Sequence, residues 1–262
     1  MAKRKSHTTH RRGARPAAAI WLYGVHAVRH ALANRARRCR QLLLTAEAER
    51  GLGAIFAHAM AAAERPTPIT TVERAAIEAR LPAGATHQGV ALEADPLEAV
   101  GLDEFRRRVA ARKSVVALAL DRVSDPRNVG AVLRAAAAFD AAGLILTERH
   151  APPATGALAK AAAGALEHVP LVRVTNLARA LRQLQEDGFW CLGLDATAGE
   201  KMHAAELSGK CLLVLGAEGA GLRRLTRESC DGLLRISAGG KVESLNVAAA
   251  AAIALYEWSR QN

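Results

Sequence analysis

Residues 213–226 read LVLGAEGAGLRRLT. A short apolar run leads into glycines at 216, 219 and 221, and a helical pattern resumes at Leu222. This is a buried strand feeding a tight turn and then a helix. The spacing is G-x-x-G-x-G rather than the G-x-G-x-x-G of dinucleotide folds, and it comes late in the chain rather than after a first strand. Glu218 stands in the middle of the turn, where a carboxylate repels a pyrophosphate. No G-x-x-x-x-G-K-[ST] occurs anywhere in the chain, which removes a P-loop. Such a loop suits a ligand without a pyrophosphate or with a positive charge, and a sulfonium carried on an adenosine qualifies.

Outward from this loop the texture stays the same. VVALALD (115–121), GLILT (143–147), VPLVRVT (169–175), FWCLGLD (189–195) and LLRIS (233–237) are further apolar runs. Helical patterns lie between them, near Arg127–Phe139, Thr155–Ala165, Asn176–Glu186, Leu222–Ser229 and Leu245–Arg260. Continuous apolar strands alternating with helices predict a parallel sheet covered on both faces, with its ligand beyond the carboxyl ends of the strands. The residues just past each strand are therefore the candidates for a site.

The first run is succeeded by DRVSDPRNVGAVLRAAAAFD (121–140). Pro126 suits a first helical position, with Asp125 as cap. Asn128 and Arg134 stand six apart, so on a helix they point about 120° apart, one at the entrance and one on a flank. Taken alone, the same pattern serves a capped amphipathic helix with an exposed Arg. The last run leads into RISAGGKVESLNVAAA (235–250). Ser244 is expected to cap the helix, and Asn246 to lie a turn inside it, facing a ligand. That helix opens with alanine all round at 248–252. A surface helix needs a single apolar stripe, so other elements must approach this one closely from several sides.

The first sixteen residues carry six Lys or Arg and no acid, within a chain of 262 residues and formal net charge +11. They read as a basic arm, and such arms bind phosphates by releasing counterions. A tail that only aids solubility and an Arg-rich transit peptide are the other readings; the lack of an amphipathic pattern disfavours the latter. Residues 17–96 form a small unit of alternating helix and strand. In it, GLGAIFAHAMAAAERP (51–66) is a helix, TVERAAIEARLP (71–82) is a helix capped by Thr70 or Thr71, and Arg29, Arg35, Arg37, Arg38 and Arg40 make a cluster expected to grip RNA. Residues 97–113 are charged, without a strong apolar stripe, and read as a linker with some helix; 114–262 is the main domain. No run reaches the roughly 18 apolar residues of a membrane span, so a cytoplasmic protein is expected. The four cysteines show no C-x-x-C pair and no ligand-like His spacing, and no metal site is expected.

Individually these signals are weak, but their order along one sheet is specific. DPRNVGAVLRAAAAF, LVLGAEGAGL and RISAGGKVESLNVAAA together resemble the three motifs of the SpoU/TrmH family of RNA ribose 2'-O-methyltransferases. The resemblance covers residues 114–260, and the front unit, with WLYGVHAVRHAL and HQGVALEA, is similar to the L30e-like substrate-binding domain of the rRNA-acting members. It implies an α/β fold: a parallel-sheet trefoil-knot catalytic domain of SPOUT type behind a small N-terminal α/β domain. A thin, alanine-rich last helix suits the threading of such a knot. The implied reaction moves a methyl group from S-adenosylmethionine to the 2'-hydroxyl of a guanosine in 23S rRNA. By motif match Arg134 activates that hydroxyl. Because Arg stays protonated, it is better read as a clamp on the neighbouring phosphate. Asn128, Glu218, Ser244 and Asn246 complete the catalytic set, and Gly216, Ile236 and Leu245 carry the cofactor. The resemblance also implies a homodimer through the knot region. Glu243 departs from the family pattern, where Ser or Gln is expected. A tRNA ribose methyltransferase of the same family and a noncatalytic RNA-binding protein are the alternatives. The front domain argues against the first, and the five motif side chains together argue against the second.

Overall fold

The computed structural model describes residues 18–238 and 245–262. The basic arm and Ser244 therefore lie outside the described residues. The front unit runs β1 (Ile20–Tyr23), α1 (Val25–Ala33), β2 (Cys39–Leu44), α2 (Ala46–Ala63), β3 (Ile69–Thr71), α3 (Arg74–Glu78) and β4 (Val90–Ala94). Its sheet has the order β1-β4-β2-β3, with β4 antiparallel to both neighbours and β3 parallel to β2. Side chains alternate across a strand. Leu42 and Leu44 accordingly join a core with α1 and α2, while Leu43 and Ala91 pack with Ile77 on the other face. Two expectations fail here. The long helix starts at Ala46, capped by Thr45 accepting from the Ala48 N–H, not near Gly51. Thr70 and Thr71 cap nothing, because parallel pairing with β2 holds them in β3; the next helix begins after Glu73 without a side-chain cap.

The rest comprises β5 (Val100–Gly101), α4 (Leu102–Val109), β6 (Val115–Asp121), α5 (Pro126–Ala138), β7 (Leu144–Thr147), α6 (Gly156–Ala162), β8 (Leu171–Val174), α7 (Leu177–Glu186), β9 (Trp190–Leu194), β10 (Glu200–Lys201), β11 (Lys210–Gly216), α8 (Arg224–Glu228), β12 (Gly232–Arg235) and α9 (Val247–Gln261). The strands form one sheet, all parallel, in the order β10-β12-β9-β11-β6-β7-β8-β5. Strand β6 is buried on both faces. Val116, Leu118 and Leu120 share a core with α5, α6 and α9, while Val115, Ala117 and Ala119 share one with α4 and α7. The segment read as a linker is not one. Its Val100–Gly101 is an edge strand on β8, and Phe105 and Val109 bury the next helix against the sheet. Two apolar residues four apart in a charged stretch make a stripe too narrow to stand out. Among the described residues no helix is long and apolar enough to cross a membrane.

The thin last helix is explained by its neighbour. Helix α9 packs on α5, itself rich in alanine, with Ala251, Ala254 and Leu255 fully buried. Helix α5 is approached as closely from α6: a Cβ on Gly130 would lie 2.4 Å from the Ala161 Cβ. Strand β12 sits beyond β9, whereas α9 sits on α5.

The front unit rests on the α6 end of the main sheet through an apolar contact that also encloses polar groups. Arg37 and Glu167 are 1% and 2% exposed at their side chains. Arg37 Nη2 donates to Glu167 Oε1 at 2.5 Å and its Nε to Oε2 at 3.2 Å, while Nη1 donates to the Asp95 carbonyl. Asn34 Nδ2 donates to the same carboxylate at 2.8 Å. Arg37 therefore leaves the expected RNA-gripping set, since its guanidinium is enclosed and all three nitrogens are engaged. Breaking a buried pair leaves an uncompensated charge and costs about 3–5 kcal/mol, whereas replacing both partners by apolar groups is often neutral. Glu167→Gln and Arg37→Met should each lose about that much stability in urea denaturation, and Arg37→Met/Glu167→Leu should recover most of it. Additive losses would show that the pair does not act as a unit.

Candidate active site

Three segments meet at the carboxyl ends of β6, β11 and β12. Strands β6 and β11 are adjacent, in register from Lys210 opposite Val115 to Gly216 opposite Asp121. The segments that leave them are therefore brought side by side. After β6, Asp125 caps α5 by accepting from the Arg127 N–H, which sets Asn128 in the first turn. After β11 the glycine loop folds back on itself, with the Gly221 N–H donating to the Ala217 carbonyl at 2.8 Å. A Cβ on Gly216 would lie 2.1 Å from the Gly221 carbonyl carbon, so only glycine permits this turn. The loop carries Glu218 out to face Asn128.

The third segment is the start of α9. Asn246 is its N-cap, accepting from the Ala248 N–H at 2.9 Å. It does not lie a turn inside the helix, and it takes the capping role expected of Ser244. Glu218 Oε1 accepts from Asn128 Nδ2 (3.1 Å), Asn246 Nδ2 (2.5 Å) and the Val247 N–H (3.3 Å). Asn246 Nδ2 also donates to Asn128 Oδ1 at 3.1 Å. A carboxylate at a helix N-terminus is favoured by the unpaired N–H groups and the helix dipole. The residue that argued against a pyrophosphate is thus what fastens the last helix to the sheet.

Arg134 is not part of this cluster. It is exposed on a flank of α5, and among the described residues it makes no hydrogen bond or ion pair. Its guanidinium is available to an external anion. Gly216, Ile236 and Leu245 do come together, lining a cleft of about 660 Å³ over the ends of β9, β11 and β12. The cleft walls mix apolar side chains, from Leu194, Leu215, Leu222, Leu234 and Val247, with the loop backbone and the polar groups of Asp195, Thr197, Glu218, Arg227 and Arg235. That size and lining match a small-molecule site whose polar groups fix orientation.

Two polar arrangements shape the cleft and have no clear trace in the sequence. Asp121, fully buried, accepts from the Arg223 N–H (3.0 Å) and pairs with the Arg223 guanidinium (2.6 Å), locking the exit of the glycine loop to the end of β6. Asp195, at the end of β9, accepts from the Thr197 hydroxyl and N–H and pairs with Arg227 at 2.8 Å. Those Thr197 bonds, aided by Arg227, hold its carboxyl below the usual carboxylate range despite burial. The thiols are not nucleophiles. Burial raises all four, Cys39 to about 11 and Cys211 and Cys230 to about 12, with Cys191 higher still. Among the described residues no group of three or more His, Cys, Asp or Glu is placed to hold a metal ion.

The geometry defines a class: an α/β protein of parallel strands with a small-molecule-sized cleft over the carboxyl ends of its central strands and a polar cluster at its rim. Residues 115–256 match the SpoU rRNA Methylase family, and residues 21–100 match a family described as RNA 2'-O ribose methyltransferase substrate binding. The chain belongs to the SpoU rRNA methylase family. It is 38% identical over 244 residues to the 23S rRNA (guanosine-2'-O-)-methyltransferase RlmB of Pseudomonas putida, covering 92% of this chain and 96% of that one. It is 45% identical over 178 residues to RlmB of Vibrio vulnificus, covering 68% and 72%. In fold it is similar to the SpoU methyltransferase AviRb from Streptomyces viridochromogenes, solved in complex with AdoMet, with a TM-score of 0.74 and 24% identity over 93% of this chain and 90% of that one.

Glu218→Ala would leave the Val247 N–H without its acceptor and the Asn246 amide with Asn128 Oδ1 alone. Hydrogen bonds to charged groups contribute about 1.5–3 kcal/mol, and the exposure of Glu218 favours the low end. Amide exchange over residues 247–251 should then speed about tenfold, with the amides of β6 unchanged. Unaltered protection would mean that the helix start is held by something else.

Proposed function

We infer that this protein transfers a methyl group from S-adenosylmethionine to the 2'-hydroxyl of a guanosine in 23S rRNA, in the cytoplasm. The observation that carries this reading is the Asn128–Glu218–Asn246 cluster, which joins the three strand-end segments beside a cleft of suitable size. The RlmB relatives supply the substrate class, and the match of residues 21–100 to a substrate-binding family supports a ribosomal over a transfer RNA.

The cleft fits the cofactor by its chemistry. The leucine and valine side chains of the wall suit a purine, the polar groups of Asp195 and Thr197 offer hydrogen-bond partners, and Gly216 lets the loop backbone approach without a side chain between. Gly216, Ile236 and Leu245 would hold it there. When bound, S-adenosylmethionine supplies an electrophilic methyl group on a positively charged sulfur. Glu218 is committed to the helix start, so it positions rather than takes a proton. Asn128 and Asn246 fix the rim on which the ribose would rest. Arg134 stays protonated. Its role is to hold the phosphate next to the target ribose and, by its charge, to make the hydroxyl more acidic as it attacks. Arg29, Arg35, Arg38 and Arg40 are proposed to contact the RNA backbone from the front unit, although Arg35 pairs with Glu64 and Arg38 and Arg40 pair with Asp95 in the free protein.

The deciding experiment is transfer of radiolabel from S-adenosylmethionine to unmodified 23S rRNA, with 16S rRNA and tRNA in parallel. Label in 2'-O-methylguanosine from 23S rRNA alone is expected; label in tRNA alone would replace the substrate. Arg134→Ala should lower kcat by at least about a hundredfold, the scale set by loss of one preorganised electrostatic group, while cofactor affinity stays within twofold. Arg134→Lys should recover part of the rate. A large loss of cofactor affinity would remove Arg134 from this role.

The protein acts as a homodimer through α9. The outer side of that helix presents Ile253 and Tyr256 at 40% and 59% exposure, with Leu245 beside its start. One apolar strip next to the cleft is a self-complementary surface for a two-fold partner. Ile253→Glu/Tyr256→Glu should convert a dimer to a monomer in light scattering and reduce methyl transfer. A wild-type monomer at micromolar concentration would overturn this.

A further inference from the structure

The opposite end of the same sheet carries a second surface. Trp190 begins β9, Lys210 begins β11, and Arg112 and Lys113 immediately precede β6. These strands are neighbours, so the four side chains share one edge, rimming a shallow depression of about 490 Å³. Six residue steps along β11 separate this edge from Gly216, roughly 20 Å at strand spacing.

Trp190 is 54% exposed, although it stands in a sheet whose next residue, Cys191, is fully buried. The lining includes one carboxylate, Asp187, and it is cancelled: Arg106 grips it with two nitrogens, at 2.5 and 2.9 Å, and holds its carboxyl below the usual range. Among the described residues Arg112 and Lys113 form no ion pair. Lys210 lines the depression and donates to the Ala110 and Asp187 carbonyls, which leaves one of its three N–H groups unused within the protein. An aromatic face flanked by three cations without carboxylate partners, in a chain of net charge +11, complements an unpaired nucleotide: a base on the indole and phosphates on the cations.

We propose that the Trp190–Arg112–Lys113–Lys210 edge is a second RNA-binding site, taking a single-stranded segment of the same substrate on the face opposite the methyl-transfer cleft. The proposal rests on the RNA-substrate reading above. A second docking point on the far side of the sheet makes affinity depend on RNA long enough to reach round the domain.

The test is binding of unmodified 23S rRNA and of a short oligouridylate, monitored by the fluorescence of the protein's three tryptophans and by filter retention at several salt concentrations. Oligouridylate should quench the emission of the wild type and not that of Trp190→Phe. Trp190→Ala should weaken binding of 23S rRNA about tenfold, the scale of one lost base stack. Arg112→Glu/Lys113→Glu, which alters exposed residues alone, should lower the salt slope by about 0.7 for each contact removed. Thermal melting confirms that each variant is folded, and transfer to a minimal fragment that spans the target nucleotide should stay at the wild-type rate. Unchanged affinity and slope in both variants, with wild-type binding intact, would overturn the second site alone. Failure of the wild type to bind any RNA would overturn both this site and the substrate reading.

Discussion

One carboxylate oxygen holds the proposed site together. Glu218 Oε1 receives donors from Asn128, ninety residues before it, and from Asn246, twenty-eight after it. The meeting is possible because β6 and β11 pair in parallel, so the segments that leave them emerge on the same side. Parallel strands need a crossover to bring the chain back to the bottom of the sheet, and most crossovers here are helices. Glu218 joins the first turn of α5 to the start of α9.

A second constraint fixes the front unit. Its sheet and the main sheet share a continuous apolar core, in which α1 and β1 meet α6. Within that contact the Arg37 and Glu167 side chains are sealed from water, with Asn34 at the edge. Apolar surfaces alone would tolerate sliding, whereas a buried carboxylate that needs three donors accepts one arrangement. Any RNA held by the front unit is thereby presented at a fixed distance from the cleft.

Much of this was legible in the residues. The apolar runs from Val115 onward gave the parallel sheet, and LVLGAEGAGL marked the loop over the cleft. The all-round alanines at 248–252 required close neighbours, which α5 supplies. The misreadings have specific physical causes. Val100–Gly101 is too short to announce a strand, and it becomes one because β8 leaves an open edge. Thr70 and Thr71 look like caps, but pairing with β2 outweighs that local preference. Arg37 sits in a run of arginines, and nothing in the run distinguishes the one that turns inward to a glutamate 130 residues away. Asp121–Arg223 and Asp195–Arg227 are likewise products of tertiary approach, invisible to any local pattern.

The strand order also carries a consequence in time. The central pairing joins residues 95 positions apart, from Val115 to Lys210, and the Asn128–Asn246 contact spans 118. Such long separations slow folding, because loop entropy must be lost before the contacts that reward it can form. During synthesis β6, β7 and β8 can assemble early, with the β11 side of β6 still bare. Asn128 can meet Glu218 once β11 has paired with β6, but the Asn246 side of the cluster stays open until the start of α9 has left the ribosome. The tie beside the cleft is therefore completed later than the sheet that carries it.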